Sequence, residues 1–149
     1  MLSTYRKFAA EREAQGIPAL PLNPEEVEAL TKLLENPPAN ESAELLTLLS
    51  NRIPPGVDDA AYVKANWLGS IASNRAKSPL ISPIEATRLL GTMIGGYNVA
   101  ALIEILKNDN FVLAESAAKG LSQTLLVYDA VNDIMELSET NSFAAQVIQ

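Results

Sequence analysis

The sequence predicts an all-α protein, a right-handed α-solenoid of short antiparallel helix pairs. Three observations carry that prediction. Helix-start signatures recur along the 149 residues, the apolar side chains between them fall at helical spacing, and strand signals are nearly absent. A four-helix bundle would use fewer and longer helices than these intervals allow.

The starts can be taken in order. Asn23-Pro24-Glu25-Glu26 offers a side-chain acceptor at the cap, a proline whose missing N–H costs nothing there, and a glutamate three residues on to complete a capping box. Ser82-Pro83-Ile84-Glu85 repeats the signature. Asn40 after Pro37-Pro38, and Asp58 after Pro54-Pro55-Gly56, read as weaker caps behind proline stops. Between the starts lie Val27, Leu30 and Leu34, then Val63, Trp67 and Ile71, then the i, i+3, i+4, i+7 stripe of Val99, Leu102, Ile103 and Leu106. Helices are expected over 2–15, 24–35, 41–51, 59–74, 83–93, 98–107, 111–127, 129–139 and from 141 to the end. The 35 residues from Asn23 to Asp58 and the 42 from Asn40 to Ser82 are helix-pair distances of the HEAT or armadillo kind. The repeat is structural, since the pairs share no recognisable motif. At the C-terminus Asn141 reads as a cap and Phe143, Ala144, Val147 and Ile148 as an apolar face, with no stop signal before Gln149. The expectation is one helical domain, 1–149, at the N-terminal end of a longer polypeptide.

Composition narrows the chemistry. A chain of this length buries roughly 68–70% of its unfolded surface and needs no staples. It has no cysteine and no histidine. That removes disulfides, thiolate metal sites, the usual general base near neutral pH and every Ser/His or Cys/His nucleophile. Eleven basic against 18 acidic residues give a net charge of -7, unfavourable for nucleic acid. The distribution is uneven: Arg52, Lys64, Arg75, Lys77 and Arg88 outnumber Asp58, Asp59 and Glu85 in one stretch, while only acidic residues follow Lys119. The charged opening MLSTYRKFAAEREAQG is not a secretory signal, and no run approaches the ~18 apolar residues of a membrane span. A cytoplasmic protein is expected.

The most specific local feature is LLGTMIGGYN, residues 89–98, where Gly91, Gly95 and Gly96 fall within six positions. Glycines so placed mark a sharp reversal or a close approach. A phosphate loop is disfavoured, because neither G-x-G-x-x-G after a strand nor G-K-[ST] is present. A turn between helices is preferred, with packing against another domain next. Glu25/Glu26 and Asp58/Asp59 suit helix starts. Asp129 and Asp133, four apart in the acidic tail, read as a solvated face first and a partner-binding patch second. Trp67, Tyr62, Phe8, Tyr5 and Tyr97 read as core aromatics. Arg75, Lys77 and Arg88, flanking Ser78-Pro79-Leu80-Ile81, read as loop charges able to meet an acidic partner.

Several strings together resemble one family. ALTKLLENPPA, LLSNRIPPGVDDAAYVKA, AKSPLISPIEATRLLGTMIGGYN and KGLSQTLLVYD, with the opening MLSTYRKFAAEREAQGI, are similar in order and spacing to the N-terminal region of bacterial aconitase B. The resemblance covers essentially the whole chain. It implies a HEAT-like domain ahead of catalytic domains that hold a [4Fe–4S] cluster and interconvert citrate and isocitrate through cis-aconitate, with 2-methylisocitrate dehydration as a second activity. None of the family's cluster or substrate residues maps onto this segment, so no catalytic, cofactor or metal residue is expected here. The implied partners are the catalytic domains of the same polypeptide, a second copy in a homodimer, and messenger RNA only in the full-length apo enzyme. A membrane is not among them. Contact with those domains is expected at Gly95, Gly96, Tyr97 and Asn98, with Arg75, Lys77 and Arg88 beside them. The rival readings are a free-standing helical-repeat adaptor and, less favoured, an RNA-binding regulatory module.

Overall fold

The computed structural model describes residues 1–124 and 127–149. Among them all regular structure is helical: α1 (Leu2–Ala14), α2 (Pro24–Glu35), α3 (Ser42–Asn51), α4 (Asp59–Ala72), α5 (Pro83–Gly91), α6 (Val99–Leu106), α7 (Phe111–Gln123), a 3-10 turn (Tyr128–Ala130), α8 (Val131–Ser138) and α9 (Ser142–Ile148). The end of the helix expected over 111–127, at Leu125 and Leu126, lies outside the described residues.

The two strong starts form as capping boxes. Asn23 Oδ1 accepts from the Glu26 amide at 2.8 Å while Glu26 Oε2 accepts from the Asn23 amide at 2.9 Å. Ser82 and Glu85 reciprocate in the same way at 3.3 and 2.9 Å. Asn141 caps α9 through the amides of Phe143 and Ala144, and its Nδ2 donates to Leu106 O at 2.9 Å, tying α9 to the end of α6. Two weaker starts differ from expectation. Asn40 is no cap: it takes φ +65°, a left-handed turn that asparagine tolerates, and α3 starts after Glu41 with no side-chain cap. Asp58 occupies the cap position of α4 but its carboxylate accepts no amide there.

Packing follows stacked pairs. Chain neighbours α2 and α3, α4 and α5, α6 and α7, and α8 and α9 lie together. Helices two apart then stack, α2 on α4 on α6 and α5 on α7 on α9, giving a solenoid-like order. One continuous core runs through it, anchored by wholly buried Leu30, Leu34, Leu49, Leu68, Leu90, Leu102 and Leu121. Each such side chain contributes roughly 1.5–3 kcal/mol of apolar burial. Trp67 joins this core, and its indole N–H donates to Glu35 Oε1 at 2.9 Å, binding α4 to α2. The other expected core aromatics do not all follow: Tyr5 is half-buried against the core, but Phe8, Tyr62 and Tyr97 are exposed. With so many leucines and alanines available, the interior is filled without them.

The first helix is held more lightly. Leu2 enters the core, and Arg6 reaches across to α3, where its Nε donates to Glu44 at 3.0 Å and its Nη2 to Glu41 at 3.1 Å. The Arg6 guanidinium keeps the Glu44 carboxyl below its ordinary range. The tie is therefore complete at neutral pH and is lost as pH falls through that lowered value.

Glycine sets a close helix crossing. Gly91 ends α5 and meets Gly120 in α7 so closely that a Cβ on either would stand 3.0 Å from the other's Cα. Valine at 120 must push the helices apart, so Gly120→Val is expected to destabilise by about 1–3 kcal/mol in denaturant unfolding. An unchanged midpoint would contradict this crossing. Lys64 is a second internal oddity, a lysine 4% exposed within α4 that makes no ion pair among the described residues. Burial lowers its pKa because the charged form loses water. Lys64→Met should raise the melting temperature at pH 7 by about 2–4 °C, the shift made by roughly 1 kcal/mol in a domain of this size. The gap should narrow as pH rises through the lowered Lys64 value, where the native state sheds the proton before the unfolded one does; a gap independent of alkaline pH would exclude burial of the charge as its cause.

Candidate functional site

The glycine loop is built on a second loop. The segment between α5 and α6 lies against the one between α3 and α4, and the lock is made by backbone. Ile94 N donates to Pro55 O at 3.0 Å, and the Tyr97 hydroxyl donates to Val57 O at 3.0 Å. Gly95 fits only because it lacks a side chain: an added Cβ would lie 1.8 Å from Gly56 O. Gly96 takes φ +88°, where a side chain is strained, and so turns the chain into α6. Tyr97 then meets Tyr62 of α4 edge to face, ring centroids 5.3 Å apart.

Asn98 lies beneath this surface, with no exposure. Its Nδ2 donates to Leu90 O at 2.7 Å and Met93 O at 3.3 Å, tying the start of α6 to the end of α5 and the loop beyond it. Its Oδ1 finds no partner among the described residues. Any part it takes in a contact is to hold the loop from within.

What the loops display is apolar. Val57 is 69% exposed and Ile94 59%, and they stand with the half-open rings of Tyr62 and Tyr97. Aromatic groups held rigidly by hydrogen bonds and backbone contact have little entropy left to lose on association. The loops therefore form a ledge suited to a protein surface and poor in groups that could carry acid–base chemistry.

The structure sorts the expected site residues. Gly95, Gly96 and Tyr97 stand together, and Arg75 lines a groove between α4 and α6 that Tyr97 shares. Arg75 is exposed, its Nε donating to Ser73 Oγ at 2.8 Å. Arg88 lies elsewhere, beside Lys119 and the crossing of Gly91 and Gly120. Lys77 is exposed and lines neither groove. The basic stretch from Arg52 to Arg88 does not form one face. Arg52 is turned inward, its Nη2 donating to the carbonyls of Ala19 and Leu20, and Lys64 is buried. Composition counts all five cations alike and cannot see that two are used inside. Nor did the sequence identify Pro55, Gly56 and Val57 as partners of the glycine loop. The P-P-G string announces a turn, but nothing in it says what the turn faces.

No cluster of three or more His, Cys, Asp or Glu side chains able to hold a metal occurs among the described residues. The sequence has no cysteine to ligate an iron–sulfur cluster, so the residues of this chain do not fit that group. No helix among the described residues is long and apolar enough to cross a membrane.

The family described as the aconitate B N-terminal domain matches residues 4–149. Among curated relatives, aconitate hydratase B of Synechocystis sp. is 55% identical over 148 residues, covering 99% of this chain. Aconitate hydratase B of Escherichia coli is 53% identical over 150 residues, covering all of it. The chain spans 17% of the length of each of these relatives. With these matches over nearly its whole length, the chain belongs to the aconitate B N-terminal domain family.

Proposed function

We infer that this chain is the non-catalytic N-terminal interaction domain of an aconitate hydratase. The parent polypeptide is a cytoplasmic lyase that interconverts citrate and isocitrate through cis-aconitate in the tricarboxylic acid cycle and dehydrates 2-methylisocitrate. Its [4Fe–4S] cluster belongs to later domains, in keeping with a segment that has neither cysteine nor histidine. The domain itself is a single HEAT-like right-handed solenoid. Its work is to pack on the catalytic body, to shape the approach of substrate and to support dimerisation.

The observation that carries this reading is the ledge of Val57, Tyr62, Ile94 and Tyr97. Rigid aromatic and aliphatic groups on a locked loop are the usual anchors of protein interfaces. Messenger RNA is served less well, because the chain is acidic and Arg52 and Lys64 of its most basic stretch are turned inward. A free-standing adaptor would require a gene that ends with this domain, whereas the curated relatives carry it as 17% of a larger protein.

Two measurements test the inference. The 149-residue chain should turn over neither citrate nor isocitrate, and measurable turnover would refute a non-catalytic role. In the full-length parent, Ile94→Glu should leave the melting temperature of the domain within about 2 °C, because the side chain is exposed. It should nevertheless speed tryptic release of the domain by tenfold or more. Equal release rates would remove the ledge from the interface.

A further inference from the structure

The helix stack closes along much of its length but opens between α6 and α8. In the layer of α2, α4 and α6 each helix packs on the next, whereas α6 and α8 barely touch. Instead α8 leans on α9 and on the 3-10 turn before it. The space left is a groove of about 990 Å³ that begins at the glycine loop and reaches Thr140. Its floor is apolar, with the buried Val99 and Ile103 from α6 and the half-buried Leu137 from α8 in its lining, together with Tyr97 and Tyr128.

The rim has one sign of charge. Asp129, Asp133 and Glu136 border the groove, are exposed, and make no ion pair among the described residues. Lys107, the cation among the described lining residues, already sits 2.8 Å from Glu104. No lysine or arginine follows Lys119 in the sequence, so the α8 side has no cation of its own. An apolar floor with an acidic rim is the receptor half of helix-in-groove recognition.

We propose that this groove seats a cationic amphipathic helix from the remainder of the same polypeptide. Its apolar face lies on Val99, Ile103 and Leu137, and its lysines or arginines meet Asp129, Asp133 and Glu136. The proposal rests on the reading of this chain as one domain of a larger enzyme. The source follows from proportion: the relatives are about six times longer than this chain, and a tethered segment is present at an effective concentration that a separate protein rarely matches. Size fits as well. α6 and α8 have eight residues each, about 12 Å, so an occupant of two to three turns fills the joint. It would supply the helix contact that α6 and α8 do not make with each other. The carboxylates set its register and its sign while burial of the floor holds it, and a nucleic acid is excluded by the same carboxylates.

Carbodiimide labelling of carboxylates in the purified full-length parent, read by mass spectrometry, tests this. Glu25 and Glu28 of α2 serve as exposed references within the same molecule. Asp133 and Glu136 should label at least fivefold more slowly than the references, and Asp133→Lys should restore the labelling of Glu136 to within twofold of them. Equal labelling at all four positions, in a parent whose scattering profile shows a packed N-terminal domain, would overturn the groove and leave the interaction reading standing. Equal labelling with an independently tumbling domain would overturn both. Protection that arises only in crude extract would mean that the occupant is a separate protein, and the proposal would fail.

Discussion

Backbone meets backbone at two glycine contacts, and the rest of the domain is arranged around them. At Gly91 and Gly120 two helices approach so closely that a Cβ on either would stand 3.0 Å from the other's Cα, and its neighbour would have to give way. At Gly95 a loop lies on the carbonyl of Gly56, with Ile94 and Tyr97 bonded to the flanking carbonyls of Pro55 and Val57. The first contact fixes how α5 and α7 stack. The second ties the connection between α5 and α6 to the connection between α3 and α4, so that two helix pairs cannot slide against each other. Ordinary side-chain packing tolerates volume-conserving substitution. A carbonyl oxygen occupying the place of a missing Cβ does not.

The lock also explains the kind of surface the domain offers. Because the loop is fixed from beneath by Asn98 and from the side by the hydrogen bonds of Ile94 and Tyr97, apolar groups can be displayed without collapsing inward. Beyond the loop, α6 and α8 fail to pack on each other, leaving a cleft before α8. Rigid ledge and open joint share Tyr97, so a single partner surface can span both.

Much of this was legible in the sequence, for local reasons. Asn23/Glu26 and Ser82/Glu85 place both cap partners within four residues, and Asn141 caps its own next turn, so these starts were readable and formed as expected. Leu30, Leu34, Leu102 and Leu106 repeat at helical spacing and are buried. What escaped depends on distant partners. Gly91 and Gly120 are neighbours only once α5 and α7 stack, and the glycine string announces a turn without announcing the loop that it meets. Asn40 looked like a cap because its left-handed backbone leaves no trace in composition. Tyr62 and Tyr97 looked like core because aromatics usually are, and their exposure belongs to the surface that singles out this domain. The charges of Arg52 and Lys64 were visible, their inward placement was not.

The most direct measurement of the central claim is hydrogen exchange at the backbone amide of Ile94 in the wild-type chain. Bonded to Pro55 O beneath the seat of Gly95 on Gly56, it should exchange at least a hundredfold more slowly than an unstructured amide, a rate typical of closed and stable structure. Gly95→Ala should abolish that protection. Exchange of the wild-type Ile94 amide at the rate of a free loop would contradict the account, because the two loops would then not be locked.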